Sequence, residues 1–378
     1  MKSAYCWLVS GVLFAAPQFA QSQTPAPAAA KTLKLDTGKE IYEAACIACH
    51  GAGGKGAPQS SRGFEAPKTF PDFSDCDGSM REFENDYRAT IYYGGHGRGF
   101  NEIMPSFAEA LTMEQINKVV QHLRSFCEEK GWPKGELNFP RAIATEKAFP
   151  EDEAILTTSI NVHGAPGVSS ELVVEKRFAK RNNIEFSVPF AFTRQSPGTW
   201  FGGIGDLRVG LKRVMAQDLR TGTIFSVQGE MTLPTGNKSR GLGTGTGIFE
   251  TFGALGQMLP GKSFVQTQAG AEFPTNTREL PRAVFWRTAL GKQINVDHGL
   301  GRGWTPMMEF LADRDIATGA KTNWDVLPQF QVTLNKRQHI RASMGVRIPA
   351  NNTAGRSTQF VFYLLWDTFD GGLFEGWK

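Results

Sequence analysis

Cys46-Ile47-Ala48-Cys49-His50 closes a stretch, Gly38 to Ala48, that places Ile41, Ala44, Ala45 and Ala48 on one helical face. A Cys-x-x-Cys pair by itself suits a redox disulfide or half of a zinc site. The zinc reading lacks a second ligand pair at suitable spacing. The disulfide reading lacks a βαβ context and has no use for the histidine. A third chemistry uses every residue in order: two thiols add across the vinyl groups of a haem, and the next histidine lies beneath the ring to bind iron. The spacing therefore predicts one covalent haem c, held by Cys46 and Cys49, with His50 as proximal ligand.

The sixth iron ligand must come from elsewhere. Met104 is expected to supply it, from Glu102-Ile103-Met104-Pro105-Ser106-Phe107, where Pro105 fixes the backbone beside the thioether. His96, in Gly94-Gly95-His96-Gly97, is the alternative and would give a lower potential than Met/His ligation. Met80 is a further rival.

Upstream, Lys2, an apolar stretch from Tyr5 to Ala16 and small residues around Ala20 to Ser22 read as an export signal over 1–22. The apolar stretch is short of the roughly 20 residues that a helical span needs. A Pro/Ala-rich flexible linker follows over 23–34. Cys6 leaves with the signal, so Cys46, Cys49, Cys76 and Cys127 enter an oxidising compartment, where an unpaired thiol is unusual. Net charge is +4 with the basic residues scattered, and nothing points to nucleic acid.

Residues 35–131 read as a small all-α domain. One helix is expected over roughly Met80 to Tyr93, carrying Phe83, Tyr87 and Ile91. The last opens on Thr112 and Gln115, a capping box, and runs Ile116, Val119, Val120, Leu123 along one stripe. Residues 132–152 read as a linker.

From Glu153 the period switches to two. Ile184, Phe186, Val188, Phe190 and Phe192 alternate with Glu185, Ser187, Pro189, Ala191 and Thr193. Such segments begin near 153, 168, 183, 202, 222, 245, 263, 282, 304, 322, 339 and 357. A soluble sandwich and a membrane barrel share this pattern. Three features favour the barrel: evenly apolar faces, charges such as Glu171, Glu175, Glu230, Glu309 and Arg341 on the opposite face, and aromatics at strand ends, Trp200, Phe201, Trp286, Trp304, Trp324, Trp366 and Phe369. The fold class expected is multidomain α + β: the all-α unit followed by an antiparallel transmembrane barrel of about 12 strands over 153–378.

Residues 35–131 resemble a class I cytochrome c, in Cys46-Ile-Ala-Cys-His-Gly51, a Gly-rich turn to Pro58, Tyr92-Tyr-Gly-Gly95 before Met104-Pro-Ser-Phe107, and the closing helix from Leu111. The resemblance implies that the Pro58 carbonyl accepts from the proximal histidine, and that the first and last helices cross, setting Gly38 or Tyr42 against Leu123 or Phe126. Cys76 and Cys127 have no counterpart in the family's haem motif and are expected to pair, stapling the middle loop to the end of the last helix. The second half is similar to outer-membrane barrels associated with phenol-degradation pathways, through Gly203-Ile-Gly-Asp-Leu-Arg-Val-Gly-Leu-Lys-Arg213 and Pro234-Thr-Gly-Asn-Lys238. The whole order resembles the fused porin–cytochromes of iron-oxidising bacteria, although those have a shorter haem head and a larger barrel.

This resemblance implies one-electron transfer between a donor or acceptor at the pore and periplasmic electron carriers. Outer-membrane lipid surrounds the barrel in that reading, and the small redox partner could be Fe(II). The cytochrome would sit on the periplasmic side or in the barrel mouth. Two alternatives stand beside it: a porin-like barrel with a tethered cytochrome and no conduction, and a soluble periplasmic haem oxidoreductase with a β-rich second domain.

Overall fold

The structure is a computed structural model that describes residues 34–163, 166–195, 198–295 and 301–377. The expected export signal and nearly all of the first linker lie outside the described residues.

Six helices build the first part: α1 (Gly38–Ala45), α2 (Ile47–His50), α3 (Gln59–Arg62), α4 (Cys76–Arg81), α5 (Glu84–Gly97) and α6 (Met113–Ser125). Thr37 with Glu40 and Thr112 with Gln115 form capping boxes at the starts of α1 and α6. Each box satisfies backbone donors that the first helical turn leaves free. The single helix expected over Met80 to Tyr93 is instead two, α4 and α5, with Glu82 and Phe83 extended between them. Arg124 on α6 supplies the reason: its guanidinium donates to the Met80 carbonyl at 3.1 Å and to the Glu82 carbonyl, acceptors that a continuous helix would use internally. Helices α1 and α6 cross at Gly38, where an added Cβ would lie 2.0 Å from the Lys118 carbonyl oxygen. Tyr42 meets Phe126 at 5.2 Å on the same contact. Ile41, Tyr42, Ile116 and Val119 fill the core beneath it.

The remainder is one sheet closed on itself. Its strands are β1 (Glu153–Asn161), β2 (Gly167–Phe178), β3 (Asn182–Gln195), β4 (Thr199–Ile204 and Leu207–Asp218), β5 (Thr223–Leu233) and β6 (Ile248–Leu259). Then follow β7 (Ser263–Pro274), β8 (Ala283–Lys292 and Ile294–Asn295), β9 (Gly303–Asp315), β10 (Asn323–Thr333), β11 (Ile340–Pro349) and β12 (Gln359–Asp367). All neighbours are antiparallel, and β1 pairs with β12 from Glu153↔Asp367 to Asn161↔Gln359, closing a twelve-stranded barrel without a free edge. Twelve was the number expected, and each start lies close to its expected position.

The polarity of the wall is inverted relative to a soluble protein. Leu156, Leu172, Phe186, Leu211 and Met344 point outward and are exposed, whereas Glu175, Glu185, Gln228, Gln266 and Gln329 point inward and are buried. A sandwich would bury the first set. Trp200, Trp286, Trp304 and Trp324 stand exposed on the outside, Trp286 against Trp324 at 5.8 Å. Phe369 does not join them: beyond β12 it turns back over the Arg81 guanidinium at 4.2 Å.

Strand register aligns carboxylates across the inner wall. Glu153, Glu175 and Glu185 are direct partners on β1, β2 and β3; across Gly210 the row continues through Glu230, Glu250 and Glu272. Because the strands are staggered, the row climbs from the start of β1 to the end of β7.

The segment 135–152, read from sequence as part of a linker, folds into the lumen. Leu137, Phe139, Ala142 and Phe149 pack with Val214, Ile224, Phe252, Phe264 and Met307 of the wall. Its tip reaches Glu309, midway along β9, whose carboxylate accepts from the backbone N–H groups of Ile143 and Ala144 at 3.0 Å and of Thr145 at 2.7 Å. Gln331 and Tyr363 donate to the Arg141 carbonyl at 3.1 and 2.7 Å. Wall side chains thus replace the regular ladder that this stretch of backbone lacks. The chain returns to the same barrel end at Asp152, which accepts from the Arg177 backbone N–H at 2.9 Å and pairs with Arg81.

Candidate haem-binding site

The backbone N–H of His50 donates to the Cys46 carbonyl at 2.9 Å, so a single helical turn brings Cys46, Cys49 and His50 to one side. The chain must then reverse at once. Gly51 does this at φ +71°, and a Cβ there would fall 2.7 Å from the Gly56 carbonyl oxygen. The return strand is tied by Gly56 N–H to the His50 carbonyl and Ala57 N–H to the Cys49 carbonyl, both at 2.9 Å.

This turn faces a cavity of about 430 Å³, walled by Phe70, Phe73, Tyr87, Ile91, Val119 and Leu123. Phe70 stacks on the His50 ring at 5.1 Å. Burial lowers the His50 pKa to about 4, which keeps the imidazole neutral and able to bind a metal. Burial, reinforced by the neighbouring Cys49, raises the Cys46 thiol to about 11.

Met104 lines the cavity with Gly95 and Pro105. His96 and Met80 do not. The His96 side chain is 71% exposed and lies 4.0 Å from Glu102, while Met80 is buried with its sulfur 4.0 Å from Arg124. Cys76 and Cys127 form a disulfide with their Cα atoms 5.1 Å apart, joining the start of α4 to the residue after the cap of α6. The Pro58 carbonyl accepts from the Ser61 hydroxyl at 2.8 Å and from the Ser61 and Arg62 N–H groups, while His50 Nδ1 is buried without a hydrogen-bond partner.

One side of the cavity belongs to the barrel. Arg337, in the turn between β10 and β11, and Phe369, Asp370 and Gly371, after β12, complete its lining. No sequence motif marks these residues, because a strand turn and a chain end become part of a site only through packing. Asp370 shares a hydrogen bond with Glu82, and burial raises both carboxyl groups, Glu82 to about 7.

Two thiols, a neutral buried imidazole with an unpartnered nitrogen, a thioether and a largely apolar cavity together fit a haem held by covalent links and two axial ligands. The family model described as Cytochrome c matches residues 35–126. No curated protein matches the chain. Among solved structures, an outer membrane channel from Pseudomonas putida F1 is similar over 60% of this chain and 99% of its own, at 14% identity and a TM-score of 0.40. The KdgM porin is similar over 57% and 98%, at 10% identity and 0.37, and the NanC porin over 56% and 97%, at 8% and 0.39. The barrel assignment rests on this chain's own strand pairing. Residues 35–126 match the cytochrome c family model, and the chain joins this helical region to a closed antiparallel barrel of twelve strands.

Proposed function

We propose that the protein is an outer-membrane electron-transfer protein carrying one haem c. The haem would be bound through Cys46 and Cys49, with His50 and Met104 as axial ligands and Pro58 as acceptor for the His50 ring once the haem is seated. It would exchange one electron between a donor or acceptor at the pore and periplasmic electron carriers. The bound haem supplies the one-electron iron couple. The chain's own residues hold an imidazole and a thioether toward the cavity and exclude water with Phe70, Phe73, Ile91 and Leu123.

The observation that carries this reading is the shared wall: Arg337 and Phe369 of the barrel line the same cavity as Cys46, Cys49 and His50. An apolar exterior with an inward polar face supports a lipid surrounding. Short connections such as 179–181 and 260–262 at the cytochrome end, against the long 234–247 at the other, support a periplasmic position for the cytochrome. The luminal carboxylates Glu230, Glu250 and Glu272 favour a cationic partner, of which Fe(II) is one.

The loop 135–152 favours a second reading, in which the barrel only anchors the cytochrome and conducts nothing. Proteoliposomes decide between them. An impermeant donor added outside should reduce the haem of barrel-inserted protein if a partner works through the far lumen. Absence of reduction, with normal reduction by a donor supplied on the cytochrome side, would leave the anchor.

A further inference from the structure

Met104 sits at the end of a loop, 95–104, that closes on itself through Gly95 N–H to the Met104 carbonyl at 3.0 Å and Phe100 N–H to the Gly95 carbonyl at 2.8 Å. On its outer side Ile103 is 42% exposed, and His96 and Glu102 face solvent 4.0 Å apart. Asp86 of α5 holds the Arg98 guanidinium at 2.7 Å, and the barrel adds a second restraint in which Arg98 and Arg337 each bind backbone carbonyls of the other's segment. Arg98 of the loop donates to the carbonyls of Lys336 and Arg337 at 3.1 and 3.2 Å. Arg337 of the β10–β11 turn donates through Nε and Nη2 to the Gly99 carbonyl at 3.1 and 3.0 Å and covers the Phe100 ring at 4.6 Å. Glu375 in the C-terminal tail holds the other arm of Arg337 at 2.6 Å. Gly99 itself lies so close to the tail that a Cβ would be 2.8 Å from Gly376 Cα.

We infer that Arg337 is a positioning residue for the Met104 loop, so that the barrel sets how firmly the thioether is held at the haem iron. This rests on Met104 being the distal ligand. The physical argument is one of population. A loop pinned at both Gly99 and Phe100 spends nearly all its time with Met104 turned inward, and one freed from Arg337 shares that time with conformers in which the thioether has left. An added ligand binds the second population, and its apparent affinity scales with the open fraction.

The test uses the full-length holoprotein in detergent, with imidazole titrated into the ferric form and the Met-to-iron absorption followed. Arg337→Ala should bind imidazole about tenfold more tightly than the wild type, through a larger open fraction. Glu375→Gln should fall between the two, and Arg337→Lys should recover part of the effect, since a lysine keeps the charge but cannot fork onto one carbonyl. Arg356→Ala, whose partner Asp325 lies at the opposite barrel end, should match the wild type. Wild-type affinity in Arg337→Ala with heat-modifiable gel migration intact would overturn the inference. Should that variant fail to fold, wild-type affinity in both Glu375→Gln and Arg337→Lys would overturn it equally. Met104→Ala separates the two layers: affinity unchanged by its loss would overturn the ligation reading and this inference together, while tighter binding there with none in Arg337→Ala overturns the clamp alone.

Discussion

The Arg141 guanidinium lies 2.7 Å from the Glu175 carboxylate, joining a loop that precedes the barrel to the inner face of its second strand. The same nitrogen is 2.8 Å from Glu153, and all three side chains are buried. Charges removed from water in this way depend on one another, because each is stranded if its partner is lost.

Replacing Arg141 with Gln should therefore release the luminal loop. Glu153 and Glu175 would keep Lys147 at 3.7 Å and Lys212 at 3.5 Å, so the loss should stay below the roughly 3–5 kcal/mol of a buried pair broken from one side. Planar-bilayer recordings should find low ion conductance for the wild type and a clear increase for the variant. Equal conductance in a folded variant would mean that the loop is not what closes the lumen.

The Cys76–Cys127 disulfide spans 51 residues of sequence. A loop of that length predicts about 4 kcal/mol of stabilisation through the restricted unfolded chain. The double Cys→Ser variant should lower the denaturant midpoint of the cytochrome domain, followed by haem absorbance, and leave the barrel's heat-modifiable migration unchanged. An unshifted midpoint would argue against a formed bond in the native protein.

His50 makes stability depend on pH in the haem-free chain. Its pKa is about 4 in the fold against 6.5 for a free histidine. Between these values the unfolded chain binds the proton and the folded chain does not. Stability is complete above 6.5 and should fall by about 3 kcal/mol as pH drops toward 4. Urea unfolding across this range, compared with His50→Gln, isolates that part of the slope.

Leu172, half-way along β2 and facing outward, tests the surroundings of the barrel. Arginine there should cost about 2–4 kcal/mol in a bilayer, where a charge at mid-depth has no water. Folding into liposomes, measured by urea titration, should show that loss. A change near zero would place Leu172 in contact with water.

The cysteine–histidine turn and the barrel were legible because each obeys a short rule. Thioether attachment needs two thiols and a histidine in fixed order, and a wall between lipid and lumen must alternate at every residue. The split between α4 and α5 was not legible, since Tyr87 and Ile91 keep helical spacing while Arg124, from far along the chain, takes the Met80 and Glu82 carbonyls. Among Met104, His96 and Met80 the spacing left a choice, and only the folded chain brings Met104 to the cavity.

Local sequence by itself determined the cysteine–histidine turn, the capped last helix and the number and starts of the strands, because these depend on neighbours within a few residues. Tertiary structure alone decided that 135–152 fills the lumen. Beyond its opening turn, where the Asn138 N–H meets the Gly135 carbonyl, that segment has no period, and its backbone bonds go to Glu309, Gln331 and Tyr363 on distant strands. It also decided that the cavity at Cys46, Cys49 and His50 is closed by Arg337 and Phe369, residues some 300 positions from Cys46 that are ordinary turn and tail residues until the barrel closes and carries them to the helical part.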